Sequence, residues 1–261
     1  MRVFFVQAYA IYKGLFGWLN PIGYVSNIFL YPILTVTMYS IVARFALDPE
    51  AVQRQALGIA IYSMVSVVVG GITQSYLYDR SGGTITYLFA SPVNRLKHYL
   101  SRAVLHYPNA LLASTAALFA AWGVVNLDFD MVDWGGYIIA LLVTAASITA
   151  LGQFLGVFVI VVREWQHVFG VAVAALLAFT GVIIPLTVFP SGVQEVFKLL
   201  PMTNGMLAIR SAFAGSTFDT IYMTILREFL TGFIYYAAGF IGFVVFERVA
   251  RRTGTLDMET L

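Results

Sequence analysis

The chain has 261 residues, of which 60% are hydrophobic and 11% charged, with a formal net charge of +2. Soluble domains run at roughly 45–50% apolar and about 25% charged, so a water-facing enzyme or a nucleic-acid-binding domain is excluded. There is no cysteine, which removes disulfides, thiolate metal sites and thiol nucleophiles from consideration.

A helix crossing the hydrocarbon core needs about 20 largely apolar residues. Six stretches meet that length, over 22–46, 55–77, 100–122, 136–162, 168–189 and 229–246. Runs such as Ile138–Ala150 lack the two-residue alternation of a membrane β-barrel strand. The expected fold is therefore an all-α integral membrane protein of six spans forming one transmembrane domain. The short Val3–Val6 run before Gln7 does not make the apolar core of a cleavable leader.

In chain order, residues 3–19 are apolar almost all round, with Arg2, Lys13 and Asn20 near one helical line. Two readings stand: a helix over 1–20 lying in the membrane interface, or the first turns of a longer first span. Pro21 interrupts the pattern and favours the former. Lys and Arg concentrate on connections that face the cytoplasm if both termini lie inside. The Asn126–Trp134 loop carries Asp128, Asp130 and Asp133 and no basic residue, as an outer loop can.

The connection over 78–95 reads Tyr78-Asp79-Arg80-Ser81-Gly82-Gly83-Thr84-Ile85-Thr86-Tyr87-Leu88-Phe89-Ala90-Ser91-Pro92, followed by Arg95, Lys97 and Arg102. Two glycines supply a turn, and Thr84 is placed to cap a short helix over Ile85–Phe89 that ends before Pro92. An ordinary basic turn and a docking element for a cytoplasmic partner fit these residues equally. A second inner turn is Arg163-Glu164-Trp165-Gln166-His167. Its charges must reach water, headgroups or a partner, and its Glu164/His167 pair lacks the first histidine of a zinc-protease motif.

Beyond the fifth stretch lie Gly181, Pro185 and Pro190, then Val193, Val196, Phe197 and Leu200 on one helical face against Gln194, Glu195 and Lys198. After Pro201, Thr203 starts a second short helix carrying Met206, Leu207, Ile209 and Arg210 up to Gly215. Two helices over 190–215 that are too brief to span predict a re-entrant outer cap. No phosphate-binding loop and no nucleophile elbow occurs. His106, inside the third span near Pro108, is the residue a membrane-enzyme reading would use. A helix-packing role suits it better.

Two stretches resemble the permease subunits of type-2 ABC exporters. Asp79-Arg80…Gly83-Thr84…Leu88…Ser91-Pro92…Arg95 is similar to that family's loop after its second span. Gly181…Pro185…Pro190…Leu200-Pro201-Met202-Thr203…Arg210 is similar to its signature near the fifth span. Ser81 and Thr86 stand where the family loop often has acids.

The resemblance implies a multi-pass protein of the plasma (cytoplasmic) membrane with both termini cytoplasmic. It implies a second permease chain, identical or a sister, and two ATP-binding cassette subunits that carry ATP and Mg. This chain would hold no cofactor, do no catalysis and bind no nucleic acid. Partner coupling would fall to Asp79, Arg80, Gly83, Thr84, Leu88, Ser91, Pro92, Arg95, Arg163, Glu164 and His167. Gly181, Pro185, Pro190, Pro201, Thr203 and Arg210 would belong to an outer gate. The cargo would be an amphipathic drug, lipid or lipid-linked glycan moved outward. A polysaccharide or oligosaccharide export permease is the alternative within the family, and a non-transporting membrane enzyme or assembly subunit the alternative outside it.

Overall fold

The computed structural model describes residues 6, 9, 21–84, 87, 88, 91, 94–162 and 164–253. Among them there is no strand, and the chain is an all-α integral membrane protein. Five helices are long and apolar enough to cross a membrane.

The first, α1 (Pro21–Ala43), contains a π-helical turn at Ser26–Leu30. Next, α2 (Pro49–Ser81) opens with Asp48 accepting the Ala51 N–H at 2.8 Å and with Pro49 in the first turn, a cap-plus-proline start that satisfies one orphan donor and removes another. It stops at Gly82-Gly83, where Gly83 has φ +65. The third, α3 (Arg95–Val125), is capped by Asn94, which accepts the Lys97 N–H at 3.1 Å, and it ends on left-handed Asn126. Trp134–Val161 forms α4, and the last long helix, labelled α8 below, runs over Phe218–Thr253.

Between those two lie shorter pieces: α5 (Trp165–Phe179), a 3-10 turn at Leu186–Val188, α6 (Ser191–Phe197) and α7 (Thr203–Phe213). Here the structure differs from the expected span over 168–189. Its helix has 15 residues, about 22 Å against a core about 30 Å thick. Bends follow at 180–184, with Gly181 at φ +82 and Pro185 barring a return to helix. The rest of that stretch has no α-helix, and its first bend reaches Gly58 of α2, where an added Cβ would meet the Val182 carbonyl oxygen at 2.5 Å.

Three other helices, α2, α3 and α8, overrun their expected bounds at both ends, because charged residues near their ends stay helical, whereas α1 stops at Ala43 and α4 at Val161. The sixth span, expected at 229–246, extends to Phe218 and Thr253, which brings Glu228 and Glu247 inside α8. Of the interfacial helix expected over 1–20, only Val6 and Tyr9 are described, both helical and exposed. Pro92 and Arg163 lie outside the described residues, as do Ile85, Thr86 and Phe89.

The bundle is built around α2, which packs on α3 and α4, while α1 lies against α2 and α3, and α8 and α7 against α4. Small residues set the close approaches. Gly152 and Gly156 of α4 leave room for Ile72 and the Tyr76 ring, so this Gly-x-x-x-Gly pair is used within the chain. The His106 ring packs on Gly71, where a Cβ would lie 2.7 Å from it. Asn109 of α3 accepts a hydrogen bond from Tyr24 at 2.9 Å, pinning the start of α1.

Candidate functional site

Two charged clusters organise the end of the bundle that holds residues 78–95. The first joins α2 to α3. Arg102 is fully buried, and its guanidinium pairs with the Asp79 carboxylate. It also donates to Ser75 Oγ at 3.1 Å and lies 4.1 Å over the Tyr76 ring. Tyr76 continues the network by donating to Gln153 Oε1 of α4 at 2.9 Å, and Gln153 donates to the Tyr99 carbonyl at 2.6 Å. A cation this deep is tolerable only with such partners, since an unpaired buried charge costs several kcal/mol.

The second cluster joins the segment to α8. Arg95 Nε lies 2.8 Å from both carboxylate oxygens of Glu247, the fork geometry that makes such pairs directional. The same guanidinium donates to the Ser91 carbonyl at 3.1 Å and the Leu88 carbonyl at 3.5 Å. Arg80 turns the other way, donating to the Val159 and Val162 carbonyls at 2.9 Å each. A cation there meets the negative end of the α4 dipole and fixes the chain just before the Glu164–His167 turn.

Between these anchors the segment is exposed. Ser81, Gly82, Gly83 and Thr84 face outward, and the Tyr87 ring is 79% exposed. The Thr84 hydroxyl, expected to cap a following turn, is bonded back to Asp79 Oδ1 at 2.9 Å, and Thr84 itself is helical. Leu88 and Ser91 are half-buried, with Ser91 Oγ on the Leu88 carbonyl at 2.7 Å. Glu164 and His167 are exposed and 3.6 Å apart. Thus Asp79, Arg80 and Arg95 spend their charges inside the chain, while the glycines, Thr84, Tyr87, Glu164 and His167 are presented outward.

At the far end, α7 is inserted into the bundle. Thr203, Asn204, Gly205, Met206, Ala208, Ile209 and Ala212 are all buried. Gly205 sits against Thr144 of α4 with no space for a Cβ. Pro201 is buried, and Met202, at φ 80, turns the chain into the helix. The α7 N-terminus is answered by Glu228 of α8, fully buried, which accepts the Met202 N–H at 2.6 Å and the Gly205 N–H at 3.0 Å. A carboxylate suits a helix N-terminus, where free N–H groups and the positive dipole end coincide.

Near the other end of α7, Arg210 donates to the Val182 carbonyl at 3.0 Å and the Arg54 carbonyl at 3.3 Å, straddling Gly58 beside Gly181. By contrast, α6 buries none of its residues. It is tethered by Phe197, stacked on Phe179 at 4.7 Å with Phe189 edge-on at 5.1 Å, and it follows directly on exposed Pro190. On its polar face the Lys198 ammonium, hydrogen-bonded to Glu195, holds that carboxyl below its ordinary range. A cavity of about 170 Å³ lies between α4 and α8, lined by Val143, Ala146, Ser147, Ala150, Phe229, Gly232, Phe233 and Tyr236.

Sequence reasoning missed three residues here. In the sequence Arg102 is only one of three basic residues that follow the 78–92 connection, and Glu228 and Glu247 fall just outside the expected sixth span. Glu228 is the one acid between Ile221 and Phe246, and that is the signal that marks it, because an intramembrane carboxylate requires a partner.

A family model described as an ABC-2 family transporter protein matches residues 34–241, a stretch that holds both the 78–95 segment and the α6–α7 insertion. The chain belongs to the ABC-2 transporter family. No curated protein matches it. Members of this family are membrane components of transporters, and the chain is a permease of an ABC transporter. The 78–95 segment and the α6–α7 helices thus lie within a permease whose family generally works with ATP-binding subunits.

Proposed function

We propose that this permease is the membrane half of an ATP-driven exporter that moves an amphipathic substrate outward across the cytoplasmic membrane. Two permease chains, identical or sister, form the pathway, and two ATP-binding cassette subunits carrying ATP and Mg dock beneath. Residues 79–92 are the main coupling element, Arg163–His167 a second contact, and α6–α7 the outer gate. Both termini then lie in the cytoplasm.

The observation that carries this reading is the division of labour over 78–95. An exposed surface of Ser81, Gly82, Gly83, Thr84 and Tyr87 is held at its flanks by a buried Asp79–Arg102 pair and a bidentate Arg95–Glu247 pair. A surface turn with no task has no need of two guanidinium anchors, Arg102 buried and Arg95 half-buried, that are costly to desolvate. A docking element must pass force into the bundle, and such anchors do that. The apolar lining of the α4–α8 cavity, relieved by the Ser147 and Tyr236 hydroxyls, supports an amphipathic cargo over an ion.

The test is purification of the tagged chain from its native membrane in mild detergent, with native mass spectrometry of the assembly. Two ATP-binding chains with two permease-sized chains are expected, together with ATPase activity stimulated by lipid or drug-like amphiphiles. A chain recovered alone, or with no ATPase after crosslinking, refutes the reading.

A further inference from the structure

We propose that α8 is the strut that carries motion from the coupling element to the outer gate, with Glu247 and Glu228 as its positioning residues. This rests on the reading of 79–92 as coupling element and α6–α7 as gate.

Each of the two carboxylates is the buried end of a chain of contacts. Glu247, 7% exposed, holds Arg95 through both oxygens at 2.8 Å, and Arg95 holds the Ser91 and Leu88 carbonyls of the coupling element. Glu228, 0% exposed, takes the Met202 and Gly205 N–H groups at the N-terminus of α7. Both acids belong to one unbroken helix that contains no proline. They are 19 positions apart in it, about 28 Å at a rise of about 1.5 Å per residue. An axial displacement at one carboxylate therefore arrives at the other.

The surroundings of α8 suit a moving part. Only 17% of its apolar window is buried, against 83% for α2 and 67% for α4, which also have contacts at both ends. Packed on several sides, α2 and α4 are the frame. Contact of α8 with α4 runs through glycines: a Cβ on Gly232 would meet Ser147 Cα at 2.9 Å, and one on Gly239 would meet Phe154 Cα at 3.0 Å. Backbone lies on backbone there with no interlocking Cβ on the α8 side, so slip or rocking meets less resistance than in ridge-and-groove packing. The Gly205–Thr144 contact then fixes where the α7 N-terminus rests when the Glu228 grip is closed.

The chain has no cysteine, so Ala208→Cys on α7, a position 1% exposed, provides a single thiol inside the closed gate. The experiment measures maleimide labelling of that thiol in the complete permease–ATPase complex in liposomes, with and without Mg-ATP. In the Ala208→Cys parent, ATP turnover changes the labelling rate at least about 5-fold, the lower end of ordinary allosteric coupling.

Glu247→Gln and Arg95→Ala each shrink that response to under about 2-fold while ATP hydrolysis continues, and Arg95→Lys, which lacks the fork, falls between. Exchanging the charges, Arg95→Glu with Glu247→Arg, restores the ion pair and the melting temperature but leaves the Ser91 and Leu88 carbonyls without a donor, so the response stays under about 2-fold. Glu228→Gln raises labelling without ATP and flattens the response to it.

A full ATP response in assembled Glu247→Gln complex overturns the strut and leaves the coupling reading standing. So does a full response in the exchanged pair, which lacks the donors to the Ser91 and Leu88 carbonyls. A parent whose labelling ignores ATP overturns the coupling reading and the strut with it.

Discussion

Removing Asp79 is the sharpest test of the buried charge network. Arg102 has 1% of its side chain exposed, and four groups answer its guanidinium: the Asp79 carboxylate, Ser75 Oγ, His98 Nε2 at 3.2 Å and the Tyr76 ring. Asp79→Ala leaves the cation without an anionic partner. Breaking a buried pair from one side costs about 3–5 kcal/mol. Asp79 itself is 29% exposed, so water answers part of the vacated charge and the lower figure, about 3 kcal/mol, applies. At about 2–4 °C per kcal/mol for a chain of this size, the melting temperature falls by about 6–12 °C.

The double variant Asp79→Ala with Arg102→Met removes both charges and keeps an apolar chain in the Arg102 site. Replacing a buried pair by apolar groups is close to neutral, so the double variant melts within about 4 °C of the parent. The signature is thus non-additivity, with two substitutions less harmful than one. Tryptophan fluorescence on heating the purified full-length chain in detergent reads it directly. If Asp79→Ala melts within about 1 °C of the parent, or the double variant melts well below the single one, the argument for a desolvated pair is wrong.

Arg80→Ala removes two charge-assisted hydrogen bonds from the end of α4, each worth about 1.5–3 kcal/mol; faster amide exchange at Val162 and Glu164 is expected, with the centre of α4 unchanged. Gly205→Ala drives a Cβ into Thr144 and destabilises the chain by about 1–3 kcal/mol. Adding Thr144→Ala recovers part of that loss in the same melting assay, whereas recovery from a distant substitution would refute the contact. Tyr87→Asp alters an exposed ring, so the melting temperature of the isolated permease stays put while co-purified ATP-binding subunit falls. Equal loss of both would mean that Tyr87 serves the fold.

Hydropathy made the long helices legible because a run of apolar residues such as Ile138–Ala150 has few alternatives in a bilayer. It was blind to the ends. Asp48, Asn94 and Glu228 look like loop residues in composition, yet the first two cap helices and the third sits inside one because α7 offers it N–H groups from far along the chain. The 168–189 stretch shows the opposite failure: its residues are apolar enough to span, but Gly181 and Pro185 set the backbone, and the helix stops at Phe179.

Over 78–95 the motif residues were visible, and their directions were not. Asp79, Arg80 and Arg95 looked like contacts for a partner because charges in a loop normally face water. The structure aims them at Arg102, at two carbonyls of α4 and at Glu247, all 23 or more residues away. Periodicity within one element carries no information about such pairings.

The π-turn at Ser26–Leu30 sets a phase. A π-turn closes from residue i to i+5, one residue more than an α-turn, so it is what a one-residue insertion looks like once a helix has absorbed it. Wound as ordinary α-helix, that extra residue would rotate everything before it by about 100° about the axis and swing Tyr24 off Asn109. Deleting one residue of the π-turn therefore returns α1 to ordinary winding and leaves Tyr24 on nearly the same face. The π-turn keeps the start of α1 in phase with α3 in spite of the added residue.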